Sequence, residues 1–188
     1  MLGDYKPRFI FGDCYVSRGP TEKIVKREWA LNHPFDDKLK IGEDDIWNLS
    51  LLQGNPEIIV CKNLWYVYIK NEQSVTNAFH ENCIKNYENY LFELRRYVLD
   101  EHYEYLYLET TLRCIGEISA SYFCAEAYPY DIRVAMKQFN KMVMDYPWCY
   151  ALKIKYLNQL SLKKKIKLLL IKFGIWIPFY VVKKYMGL

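Results

Sequence analysis

Apolar residues recur along the chain in two different ways, and the change comes near residue 79. From there Phe79, Cys83, Tyr87, Leu91, Leu94 and Val98 follow one another at spacings of three and four, which places them on one face of a long amphipathic helix. Tyr103 to Tyr128 reads as another helix, with Leu106, Ile115, Ile118 and Tyr122 marking its face and Pro129 stopping it. Asp131–Tyr146 and Trp148–Leu160 make two more, separated by Pro147.

The front of the chain lacks that period. Gly3, Pro7, Gly12, Gly19 and Pro20 break residues 1–20 into loops and short extended pieces. Thr21–Lys26 fits a short strand, and Arg27–Asn32 a helical turn that must end before Pro34, because the residue ahead of a proline is pushed out of helical geometry. Glu43, Asp44 and Asp45 open a helix that runs through Ile46, Trp47, Leu49, Leu51 and Leu52 to Gly54. Glu57–Cys61 and Leu64–Ile69, rich in β-branched and aromatic residues and parted by Lys62-Asn63, predict two strands. The expected fold is thus α+β and predominantly helical: a small mixed α/β piece over residues 1–77, a helical array over 78–160 and a tail over 161–188.

Composition supports a folded chain. Of 188 residues 52% are hydrophobic, and eighteen tyrosines and nine phenylalanines supply core-sized rings, which excludes disordered, collagenous and mucin-like classes. Six cysteines, at positions 14, 61, 83, 114, 124 and 149, include no Cys-x-x-Cys pair, so reduced thiols in a cytoplasmic setting are expected.

The net charge of +4 is unevenly placed. After Ser161 there are seven lysines and no acid, while the preceding 161 residues balance at −3. Lys163, Lys164, Lys165 and Lys167 precede an apolar stretch from Leu168 to Val182, interrupted by Lys172 and Pro178, and Lys183 and Lys184 follow. A spanning helix needs roughly 20 apolar residues, so this stretch is too short to cross a bilayer. Lysines for anionic headgroups, with Phe173, Trp176, Phe179 and Tyr180 at the headgroup boundary, suit a helix lying on a membrane. The alternative is a C-terminal helix folded onto the body with solvated lysines. Bulky aliphatics without arginine argue against nucleic acid as a partner.

The most informative window is Arg27 to Asn77. It contains Phe35-Asp36 with Leu39, then Gly42-Glu43-Asp44 opening a helix, then Tyr66-x-Tyr68 and Ser74. In that order these residues resemble family 2 glycosyltransferases of the GT-A fold, and the segment from about Gly12 to Asn77 resembles the acceptor-side back half of such a domain. The resemblance implies inverting sugar transfer from a nucleotide-sugar to a cell-surface polysaccharide or lipid-linked acceptor. Asp44 would be the general base and Glu43 would orient the acceptor, and Lys70 and Ser74 would lie toward the donor, with a solvated strand-end lysine the alternative for Lys70. Trp47 and His33 flank the acceptor side, with core packing and a surface or cap role as their alternatives. By itself Gly-Glu-Asp reads rather as a capping cluster, since acids favour helix starts; the upstream Phe-Asp and downstream Tyr-x-Tyr and Ser reverse that. His80 and His102 lack partners at ligand spacing.

Two departures qualify the resemblance. Ile69 and Lys70 stand where the family commonly carries an arginine, and lysine offers charge without the bidentate fork. No Asp-x-Asp occurs in the chain, nor a strand-rich nucleotide-binding half before Arg27. The divalent metal, magnesium or manganese, and the nucleotide-sugar are therefore expected only for a complete enzyme. A truncated form, inactive alone and peripheral on the inner face of the cell membrane, is the resulting expectation; a non-catalytic helical module that binds a membrane or protein is the other.

Overall fold

The structure, a computed structural model, describes residues 19, 23–53, 56–59, 82–98, 104–124, 131–153 and 160–186. The chain divides into two compact units, Met1–Asn71 and Glu72–Leu188. In the first, α1 spans Arg27–Asn32 and α2 spans Glu43–Gln53. In the second, α3 spans Cys83–Tyr97, α4 Glu104–Ile118, α5 Ile132–Met144, α6 Trp148–Leu152, α7 Leu162–Lys172 and α8 Trp176–Met186.

Among the described residues every regular element is helical, which overturns the expected α+β class with its mixed α/β GT-A piece. Lys23–Lys26, the described part of the first expected strand, forms no strand, and neither does Glu57–Ile59. Isolated β-branched pairs are a weak signal, because a strand needs a neighbour to satisfy its backbone and cannot be specified by its own residues. The expected strand Leu64–Ile69 lies outside the described residues, as do Lys70 and Ser74.

The helical boundaries follow from local chemistry. Asp131 caps α5 by accepting from Arg133 N (2.9 Å) and Val134 N (3.2 Å), satisfying two N–H groups that the first turn leaves without partners. Within the long helix expected over Tyr103–Tyr128, the described residues form α4 followed by one π-helical turn, Ser119–Phe123; Tyr103 and residues 125–128 lie outside them. Ser119 and Ser121 donate to the carbonyls of Ile115 (2.6 Å) and Glu117 (2.8 Å), and Cys124 N reaches five residues back to Ser119 O at 2.9 Å. Hydroxyls that bond the preceding turn loosen the α ladder there.

Most of the circumference of α4 is buried: Leu106, Leu108, Leu112, Cys114, Ile115 and Ile118 are each at most 1% exposed. It packs on α3, α6 and α7, and α5 packs on α6 and α8. On α3 the buried positions Cys83, Leu91, Leu94 and Val98 belong to the periodic face, and Tyr90 joins them. Apart from Glu104 and Tyr105 in its first turn, only a polar strip of α4, comprising Glu109, Arg113, Gly116 and Glu117, escapes burial. Its partners are Tyr87, whose hydroxyl donates to Glu117 at 2.7 Å, and Tyr90, whose hydroxyl accepts from Arg113 at 3.2 Å.

The basic tail completes the cover of that strip. It is two helices rather than one, and the break falls at Gly174, whose φ of 70° is left-handed. Pro178, expected to kink the segment, sits in the first turn of α8, where its missing N–H costs nothing. Lys164 pairs with Glu109, and Lys167 donates to Leu112 O beside Gly116, where a Cβ would stand 2.7 Å from the amine. Trp176 donates to Ser119 Oγ at 2.7 Å, and its ring lies 4.7 Å from the Lys167 amine. These two lysines are anchors rather than solvated charges. The four described cysteines, Cys83, Cys114, Cys124 and Cys149, are in no disulfide.

Burial pulls the Lys167 amine down to about 8 from its ordinary 10.5. Between those values the unfolded chain holds a proton that the folded chain has released, so stability rises with pH in that window. Urea midpoints of the wild type relative to Lys167→Met should therefore improve from pH 8 to pH 10 and stay level below pH 8. A relative midpoint that stays level over the same interval would mean that the amine is not buried.

Candidate functional site

The first unit holds the Gly-Glu-Asp turn, built from the top of α2 backwards. Gly42 adopts φ 74°, a conformation that a side chain would strain, and its carbonyl accepts the first helical bond from Ile46 N at 3.1 Å. Ahead of it, Asp36 closes a tight turn: its Oδ1 accepts from Lys38 N at 3.0 Å and its carbonyl from Leu39 N at 3.2 Å. Leu39 is buried as a result. Phe35-Asp36-x-x-Leu39 thus has a local mechanical meaning: turn, Asx bond and apolar plug.

A chain of hydrogen bonds ties α1 to α2. The Trp29 indole donates to Leu51 O at 3.3 Å, and the Trp47 indole donates to His33 O at 2.8 Å. His33 Nδ1 lies 2.9 Å from Trp29 O. A carbonyl can only accept, so Nδ1 carries a proton and donates it to Trp29 O, which leaves Nε2 as the nitrogen open to a further partner. The Trp29 and His33 rings stack at 5.1 Å, and Phe35 stacks on Trp47 at 4.7 Å with an interplanar angle of 11°.

These contacts assign different parts to the residues singled out by sequence. Trp47 is 8% exposed, so it serves as a hub under Phe35, and Phe35, at 44%, is the ring that faces solvent. Its signal in the sequence was the Phe-Asp pair itself. Glu43 and Asp44 are half-buried in the first turn of α2, whereas Asp45 is 1% exposed among the core residues. A carboxylate must reach water or substrate to exchange a proton, which favours Asp44 over Asp45. Asp44 and Trp47 are three residues apart and Glu43 and Trp47 four, so both acids neighbour the hub on the helix surface.

Among the described residues no three of His, Cys, Asp and Glu cluster as a metal would require, so they do not fit a divalent-metal site. No protein-family model, curated protein or solved structure matches the chain.

Removing the indole N–H while keeping a ring isolates the hub's bond. Trp47→Phe should preserve the stack with Phe35 and lower the stability of the first unit by about 1 kcal/mol, measured by urea unfolding followed in near-UV circular dichroism. No change in midpoint would show that the indole bond to His33 O does not hold the turn.

Proposed function

We propose that Met1–Asn71 carries the acceptor side of an inverting, family 2-like glycosyltransferase, with Asp44 as general base. The observation that supports this best is the arrangement of the turn: a half-buried Asp44 one helical turn from a tryptophan that supports an exposed aromatic ring and fixes a histidine. Aromatic faces suit the apolar faces of sugar rings. His33 Nε2 is an acceptor for an acceptor-sugar hydroxyl, and Glu43 orients a second one.

In the reaction the Asp44 carboxylate removes the proton from the acceptor hydroxyl as that oxygen attacks the anomeric carbon. The bond to the diphosphate leaving group breaks, and its electron pair leaves with the diphosphate. The donor half, with the nucleotide-sugar and magnesium or manganese, is supplied from outside this chain, since the chain has no Asp-x-Asp. Transfer by the chain alone is therefore very weak. A position on the cytoplasmic face of the cell membrane would raise its encounter rate with a lipid-linked acceptor. No helix among the described residues is long and apolar enough to cross a membrane. The competing reading is a non-catalytic helical interaction module, favoured by the all-helical described residues, in which the Gly-Glu-Asp turn only caps α2.

Labelled-sugar transfer by the product of the native locus, wild type against Asp44→Asn, separates the two. The enzyme reading requires a fall of about 10²-fold or more in rate, with stability within about 0.5 kcal/mol of wild type. A loss of about 1 kcal/mol of cap stability with no transfer in either protein would support the interaction module instead.

A further inference from the structure

The two tail helices each carry a second apolar stripe, opposite the one they bury. On α7 Leu168 and Ile171 turn inward at 2% exposure, while Leu162, Ile166, Leu169 and Phe173 remain exposed at 73%, 46%, 52% and 74%. Their spacing of four, three and four defines one face of a helix. The same spacing recurs from the residue before α8: Ile175, Phe179, Val182 and Met186 are 48%, 43%, 53% and 66% exposed, with Trp176 and Ile177 buried behind them. Scattered surface hydrophobics are ordinary, but two successive helices that each leave four apolar side chains exposed on one face go beyond scatter.

The charges say which occupant. Of the seven tail lysines, Lys164 and Lys167 are turned into the body by Glu109 and Leu112 O. Lys163, Lys172, Lys183 and Lys184 are exposed and Lys165 half-exposed beside the stripes, Lys184 also donating to Cys124 O at 3.5 Å, and no acidic side chain follows Ser161. Apolar side chains flanked by cations complement an anionic bilayer surface, where rings and aliphatics enter the acyl boundary and lysines meet the headgroups. Each helix, at 11 residues, is ~16 Å long and far short of the bilayer core, so it would lie in the interface rather than cross it.

We infer that α7 and α8 bind an anionic membrane surface while still docked on the body, through their outward stripes alone. This rests on the membrane part of the proposed function and deepens it. A tail released from the body would have to expose Leu168, Ile171 and Ile177 and give up the Trp176–Ser119 bond, whereas the docked pair presents its apolar stripe with the body's packing intact.

The test uses the full chain and sedimentation with vesicles of phosphatidylcholine containing about one third phosphatidylglycerol. The wild type should pellet with them, and Leu169→Ser, Phe173→Ser and Phe179→Ser combined should weaken partitioning by about tenfold or more. Those three positions are exposed, so the variant should keep wild-type near-UV circular dichroism. A zero-length carbodiimide crosslink of the Glu109 carboxylate to the Lys164 amine, which locks α7 to α4, should leave binding as in the wild type. Binding by the wild type together with unchanged binding by the triple variant, or binding lost only on locking, would overturn the docked mode while leaving membrane association standing. Failure of the wild type to pellet would overturn both. Self-association abolished by the triple variant, without vesicle binding, would assign the stripes to a second copy.

Discussion

A helix whose apolar side chains cover most of its circumference has to be surrounded, and α4 imposes that requirement on the second unit. Leu106, Leu108, Leu112, Ile115 and Ile118 look toward different neighbours, so no single partner helix can cover them. Covering α4 with α3, α6 and α7 leaves its polar strip, and the strip selects its partners by chemistry. Glu117 takes a tyrosine hydroxyl, Arg113 another, and Glu109 a lysine of the tail. The helix that supplies that lysine must present its opposite side outward. An outward stripe of Leu162, Ile166, Leu169 and Phe173 is the consequence of docking a helix that is apolar on two sides.

The first unit follows a different logic, in which directional bonds matter more than area. Its hub is one indole, Trp47, which donates to His33 O and lies flat under Phe35. The same bond positions the strand of loop between α1 and α2, so a change at Trp47 moves His33, Phe35 and the acidic turn together. Such coupling is what a site built on a short loop needs, because loops without internal support cannot hold side chains to fractions of an ångström. It also explains why the buried aromatic and the exposed aromatic have separate tasks.

Helix positions were legible in the sequence wherever a local cause acted. Arg27–Asn32 ends as the approach to Pro34 requires, α2 begins at Glu43, and the periodic face of α3 buries Cys83, Leu91, Leu94 and Val98. The expected strands were read from β-branched and aromatic content, a property of pleated surfaces already paired, and nothing in Lys23–Lys26 or Glu57–Ile59 supplies that pairing. The tail's break at Gly174 is not legible in the sequence, where Pro178 is the more conspicuous interruption; the left-handed Gly174 places that proline in a first turn. Of the candidate site, the acids stand out by motif, and Trp47 only as a ring beside it. Phe35 as the solvent-facing ring did not, since exposure depends on which of two stacked rings lies underneath.

The central functional claim is that the turn around Asp44 receives a glycan, and glycan contact does not need the donor half. The most direct measurement is a nuclear magnetic resonance titration of the chain with lipid-linked oligosaccharide extracted from the membranes of the cells that make it, observing the His33 and Phe35 rings and the backbone from Asp36 to Trp47. Saturable shifts confined to those groups are the expected result. Saturation without any change there, or a response restricted to residues 162–186, would contradict an acceptor site at Asp44.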